Sequence, residues 1–165
     1  MTDDQPDCEE LSALDDLIGV LRDTPPLSVE RELEIYEPYS KEVVSRMLST
    51  GRLYGEVSGS PNAALFTPDE VEFRERLRTI DNNLAEQVEI VAAAVNFYFR
   101  HGEIPAPYYA WRIAVILRKR KEYQREADFL AGFAKHFCRG GGAKYIKISD
   151  RVPKAKKLAK KAARL

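Results

Sequence analysis

The chain carries two histidines, His101 and His136, and two cysteines, Cys8 and Cys138. His136-Phe137-Cys138 offers a ring nitrogen and a thiol as metal ligands, but a zinc site needs more, and no second pair stands at a usable spacing. Cys138 reads better as a hydrophobe at a helix end. Gly140-Gly141-Gly142-Ala143-Lys144 could wrap a phosphate, yet it lacks a preceding strand and the Lys-Ser/Thr order of a nucleotide loop, so a hinge is the better reading. Glu30 with Glu34, and Glu86 with Glu89, can share a helix face, and ordinary solvated positions explain them. No nucleophile, base and orienting group assemble. The expected role is therefore non-enzymatic, with no catalytic residue, no metal and no cofactor.

Two groups of side chains are suited to binding. Between residues 139 and 165 stand Arg139, Lys144, Lys147, Arg151, Lys154, Lys156, Lys157, Lys160, Lys161 and Arg164, opposed only by Asp150, a net +9. Phosphate backbones reward such density by releasing counterions, and Tyr145 could stack on a base. The competing readings are a solvated face, or a segment that folds back on the acidic first half. The second group is aromatic: Tyr108, Tyr109, Trp111 and Tyr123, in the paired helices expected over residues 107–137.

The elements that must carry these groups read as helices. Residues 1–10 are acidic and lack periodic apolar positions, which suggests a mobile, disordered tail. Leu11, Leu14, Ile18 and Leu21 then recur at helical spacing until Pro25-Pro26 ends the run. A brief second helix is expected over residues 28–36, closed by Pro38. Ser40 can cap a third, with Val43, Val44, Met47 and Leu48 inward and Gly51 at its left-handed end. Residues 52–57 and 63–66 have some β character and flank the turn-rich Ser58-Gly59-Ser60-Pro61-Asn62, so a small hairpin is expected.

Thr67-Pro68-Asp69-Glu70 is a helix start, with Thr67 as cap, Pro68 first in the helix and Glu70 completing a capping box. Phe73, Leu77, Ile80, Leu84, Val88, Val91, Val95 and Tyr98 follow as one apolar ridge. At about 1.5 Å per residue a single helix would run roughly 50 Å, so either one helix forms or two, broken at Asp81-Asn82-Asn83. The ridge is either core or a homodimer seam. Pro105 and Pro107 open a further helix with Trp111, Ile113, Ala114 and Leu117 inward. Tyr123, Ala127, Leu130, Phe133 and Ala134 line its partner. After the Gly140-Gly141-Gly142 break, residues 149–165 form a basic amphipathic helix with Val152, Ala155, Leu158, Ala159 and Ala162 on a narrow stripe. That stripe offers little apolar area and no aromatic to insert into a membrane surface.

Ile113-Ala114, Leu117, Tyr123 and Leu130 fall at about the offsets of a tetratricopeptide hairpin. The pair of helices over residues 107–137 resembles that family, with Lys121 in the inter-helix turn. Ala127 lies one place late for the motif's small residue, and no second copy is visible. The resemblance implies protein binding. The front part, three short helices followed by a hairpin over residues 52–66, looks like the order of a winged helix. On that likeness the helix over 40–50 is the recognition helix and the turn over 58–62 the wing. Lys41, Arg46 and Arg52 could reach phosphates, but their acidic surroundings oppose docking on a polyanion.

Composition bounds all of this. At 165 residues, 44% hydrophobic and 32% charged, the chain can build a core. Two cysteines far apart argue for a reducing, cytoplasmic compartment. The front of the chain has neither a basic region nor an apolar run, and the longest apolar stretch, residues 90–95, is far short of a membrane span. The net charge of zero hides a division. Residues 1–99 hold 8 Lys/Arg against 21 Asp/Glu, and residues 100–165 hold 18 against 5, so −13 faces +13. Such polarity either seeks an anionic partner or neutralises itself internally.

The expected molecule is a mainly α helical bundle with a possible wing-like hairpin and a tetratricopeptide-like pair. Its units are a tail (1–10), a small helical unit (11–66), a long helix with the paired helices (67–138), and a glycine-rich hinge with the basic helix (139–165). Its expected function is that of an adaptor binding another protein. The alternative is a nucleic-acid-binding accessory protein using the basic end.

Overall fold

The computed structural model describes residues 8–66 and 69–165, and every regular element among them is helical. Helix α1 (Cys8–Asp23) buries Leu14, Leu17, Ile18 and Leu21, the one-faced pattern its sequence carries. It takes in Cys8, Glu9 and Glu10, which composition assigned to the acidic tail; residues 1–7 of that tail lie outside the described residues.

Helix α2 (Val29–Thr50) starts at Ser28, whose hydroxyl accepts from the Arg31 N–H, and stops at Gly51, where φ is 69°. It is one helix where two were expected, because it continues through Pro38. An interior proline removes one backbone bond and costs about 3 kcal/mol. Here Pro38 faces solvent, while Tyr39 and Val43 just beyond it are buried against the body of the protein. That burial and the caps at both far ends hold the helix together across the missing bond. Of the expected inward stripe only Val43 is buried, whereas Val44 and Leu48 face out.

No strand forms among the described residues, so the hairpin expected over residues 52–66 is corrected to two short helical pieces. They are α3 (Tyr54–Val57) and a 3-10 helix (Pro61–Phe66). The Ser58 hydroxyl accepts from the Ser60 N–H, and the Ser60 hydroxyl from the Asn62 N–H. These side chains take backbone donors that a ladder would need, and a two-stranded ribbon alone is marginal in water.

Helix α4 (Glu70–Ile80) is capped by Asp69, which accepts from the N–H groups of Val71 and Glu72 at 3.1 Å. The expected Thr67 cap and Pro68 start lie outside the described residues. The ridge is divided: Asn83 caps a separate α5 (Leu84–His101) by accepting from the Glu86 N–H, and Gly102 ends it with φ at 75°. Helices α6 (Pro107–Lys119) and α7 (Tyr123–Phe137) are joined through a tight turn in which Lys121 adopts φ of 60°. Helix α8 (Ala143–Ala163) begins earlier than residue 149 and contains Pro153.

Helix α7 is central, packing against α1, α6 and α8, while α5 packs against α1 and α6. Leu84, Val88, Val91, Val95 and Tyr98 of the ridge are buried in this core. Tyr98, Phe137 and Phe133 stack edge to face in succession. The α1–α7 approach depends on a missing side chain, since a Cβ on Gly132 would lie 2.8 Å from the Leu21 Cβ. Beside it the His136 Nε2 meets the Leu21 carbonyl oxygen at 2.8 Å. No helix among the described residues is long and apolar enough to cross a membrane.

The connector between α2 and α4 is held to the α5–α6 loop by Glu103, whose carboxylate accepts from the Ser60 hydroxyl and the Asn62 amide. Asn62 also receives the Ala106 N–H. Burial pushes the Glu103 carboxyl up from its ordinary 4.5 to about 7, against the opposing effect of the nearby Tyr39 hydroxyl. The folded protein thus holds this proton more tightly than the unfolded chain. The stability it contributes is full below about pH 4.5 and is lost as pH rises through about 7. Urea midpoints of the wild type are expected to fall across that window relative to those of Glu103→Gln, which carries no such proton; parallel pH profiles would refute this.

Candidate functional site

The basic residues divide largely by type. Six of the eight arginines of the back half, all but Arg100 and Arg164, reach described carboxylates of the chain. Arg120 pairs with Glu10 at 3.0 Å, Arg125 with Asp15 at 2.8 Å, Arg112 with Asp81 at 3.3 Å and Arg139 with Glu32 at 3.8 Å. Part of the charge asymmetry is therefore neutralised where α1 and α2 meet the rest of the chain. The guanidinium is the group suited to this, since its planar fork bonds carboxylates at two points.

Glu126 on α7 is the most demanding of these sites, with no exposed side-chain surface. Arg118 of α6 bonds it through both Nε and Nη2, at 2.6 and 2.9 Å, and Arg151 of α8 donates Nε at 2.8 Å. Arg151 also reaches the Ala114 carbonyl at 3.1 Å and lies over the Trp111 ring, 4.8 Å from its centre. Of the ten basic side chains singled out from the sequence, Arg151 and Arg139 are thus joined to carboxylates of the chain. Lys144 sits over the Tyr108 ring at 5.4 Å. Lys147, Lys154, Lys156, Lys157, Lys160, Lys161 and Arg164 are exposed and paired with no described carboxylate. Lys154, Lys157, Lys160, Lys161 and Arg164 project from α8 on the side away from Ile148, Ala155 and Ala159, which are buried with Val152 packed beside them, while Lys147 stands at the flank and Lys156 lines a groove with Arg22, Asp128 and Lys135. The narrow apolar stripe of the basic helix is therefore a packing face, against α7 and α6.

The aromatic group is likewise engaged. Tyr109 is buried, the Tyr108 hydroxyl donates to Asp81 at 2.6 Å, and Trp111 and Tyr123 are half-buried against the core. Burial and the Asp81 carboxylate push the Tyr108 hydroxyl up to about 12. Tyr145, the side chain suited to base stacking, donates its hydroxyl to the Pro105 carbonyl.

Cys138 and the two histidines are engaged by the core. Burial pushes the Cys138 thiol up to about 11, which disfavours the thiolate. Burial also lowers His136, and its Nε2 is already bonded. His101 packs against the Tyr39 and Phe97 rings. Among the described residues no three of His, Cys, Asp and Glu are grouped to hold a metal ion.

One apolar surface remains exposed, and it includes Val44 and Leu48, which the sequence pattern placed inward. Val29, Leu33, Tyr36, Val44 and Leu48 of α2 are 61%, 55%, 39%, 50% and 82% exposed. Their spacings of four, three, eight and four, with half-buried Ser40 in the gap, place them along one helical face. Exposed Leu53 and Ile104 lie near its two ends, and a groove lined by Leu33, Tyr36, Glu32, Glu103 and Ile104 runs along its edge. The amphipathic pattern was legible in the sequence. The missing signal was that α2 turns a neighbouring arc, centred on Tyr39 and Val43, toward α5.

Replacing Glu126 by Gln leaves two guanidinium groups around a buried neutral amide. Breaking a buried pair in this way costs about 3–5 kcal/mol. The expected outcome is a matching loss in urea unfolding, followed through Trp111, the chain's single tryptophan. A loss below about 1 kcal/mol, the range of exposed pairs, would show that the cluster is dispensable. The chain matches no protein-family model, no curated protein and no solved structure.

Proposed function

We propose that this chain is a non-enzymatic helical adaptor that binds protein through the outward face of α2. The observation that carries the reading is the exposed apolar stripe from Val29 to Leu48, broken at Ser40, on a helix whose other side is docked. Single exposed apolar residues are ordinary on soluble proteins, but an exposed strip is the mark of a binding surface. The helix is also built to present it, with a serine cap at one end and a left-handed glycine at the other. The adjoining groove at Leu33, Tyr36 and Ile104 suits an apolar side chain of the partner, with Glu32 and Glu103 beside it. The aromatic side chains of the α6–α7 pair serve internal contacts, so the open contact area is on α2.

A photo-reactive residue at Val44 is expected to yield discrete protein adducts in cells, and one at exposed Ser12 on α1 to yield none. No adduct above the Ser12 background would overturn the reading.

A second reading rests on one observation, the unpaired cations along α8. Lys147, Lys154, Lys157 and Lys161 lie within one arc of its outer side, a row suited to a phosphate backbone. On this reading the chain is an accessory protein that binds nucleic acid without sequence preference. Removing α8 would strip Glu126 of Arg151, so the test keeps the full chain. Lys154→Gln, Lys157→Gln and Lys161→Gln together are expected to weaken binding of labelled single- or double-stranded DNA or RNA in fluorescence anisotropy. The slope of log K on log salt should become shallower by about one for each phosphate that a lysine no longer neutralises. Binding that ignores salt, or none, would exclude it.

A further inference from the structure

The occupant of the α2 stripe can be argued from the stripe itself. We infer that it is a second copy of this chain, with the two α2 helices crossing antiparallel about a two-fold axis near residues 38 and 39. This rests on the reading of α2 as a protein-binding surface and names its partner.

The first support is the symmetry of the apolar positions. Val29 and Leu48 stand equally far from the midpoint between residues 38 and 39, and so do Leu33 and Val44. An antiparallel pair therefore sets Val29 on Leu48 of the partner subunit and Leu33 on Val44 of the partner subunit. Every exposed aliphatic residue of the stripe then meets another. A two-fold contact has to be self-complementary in this way. Small, half-buried Ser40 stands at the middle of the face, where the axes must approach most closely.

The second support is charge. Residues 29–39 hold Glu30, Glu32, Glu34 and Glu37 against Arg31, whereas residues 40–52 hold Lys41, Arg46 and Arg52 against Glu42. The helix thus changes sign at the same midpoint about which the apolar residues are symmetric. Antiparallel pairing lays each acidic half along a basic half, while parallel pairing would set like against like. Glu37 and Lys41 flank the stripe, both exposed, and among the described residues neither has an ion-pair partner. At the two-fold each comes beside the other's counterpart on the second copy, giving two equivalent pairs.

Two helices about 33 Å long bury less than the roughly 1,200 Å² of a tight complex, so the dimer is weak and concentration-dependent. The lysine face of α8 against the acidic half of another copy would be a different contact, one that does not close and that builds open chains.

Sedimentation equilibrium of the full chain, from about 1 μM to about 1 mM, spans the affinities expected for such a contact. The wild type should be a reversible monomer–dimer system with nothing larger. Glu37→Lys alone and Lys41→Glu alone should each weaken it about tenfold, since each turns two attractions into repulsions. The double variant should return to within about threefold of the wild type. Leu48→Asp, at a solvent-facing position that leaves the fold intact, should abolish the dimer with unchanged circular dichroism.

A monomer at every concentration, single variants that dimerise normally, a double variant that stays weak, a dimer that survives Leu48→Asp, or growth beyond the dimer would overturn the inference. The cross-linker at Val44 separates this failure from that of the broader reading. Adducts only with other proteins overturn self-association and leave α2 a protein-binding face, whereas no adducts at all overturn both. An adduct of two copies supports both.

Discussion

Glu126 governs how the second half of the molecule is assembled. A carboxylate with no exposed surface is tolerable only when its charge is met and its oxygens are bonded. Its partners come from two other helices, Arg118 from α6 and Arg151 from α8. Helix α7 therefore cannot be buried without α6 and α8 in register beside it, and Arg151 carries that register outward by covering Trp111. Around this cluster the apolar packing is continuous, from Phe129 and Phe133 on α7 to Ile148 and Ala155 on α8.

The arrangement also accounts for the split between arginine and lysine. Positions that bridge elements onto carboxylates, Arg118, Arg120, Arg125 and Arg151, are arginines, whose guanidinium holds geometry in a partly buried setting. The outer side of α8 is almost all lysine, a strongly hydrated charge that gains little from ordering and stays in water. A count of charge along the chain adds the two populations together. The fold separates them, joining part of the acidic front to the arginines and leaving the lysines on a surface.

Helix α2 is the least buried of the long elements because it touches the body through one arc. Tyr39 and Val43 are enclosed, the Tyr98 hydroxyl donates to Glu32 at 2.6 Å, and the Tyr39 and Tyr54 hydroxyls meet at 3.0 Å. Caps at Ser28 and Gly51, with that single docked arc, are enough to hold it through Pro38. The outer side carries an apolar stripe among its charges, and a compact monomer gains nothing from displaying that stripe.

The sequence by itself determined much of the helical architecture: the one-faced α1, the left-handed stop at Gly51 and the chain break at Gly140-Gly141-Gly142, while it left open whether the ridge divides at Asp81-Asn82-Asn83. These follow from local chemistry, periodicity and the special backbone freedom of glycine, which need no distant partner. Local chemistry also misled, where Pro38 read as a stop and where residues 52–66 read as strands, since burial and neighbouring side-chain oxygens outweigh weak propensities. Only the tertiary structure decided which apolar face of α2 is enclosed and which basic residues remain open. An amphipathic pattern fixes that a face wants cover and a charge wants a counterion. Which neighbour supplies them is a property of packing between residues far apart in the chain, such as Arg125 with Asp15 and Arg151 with Glu126, whose separation carries no local signal.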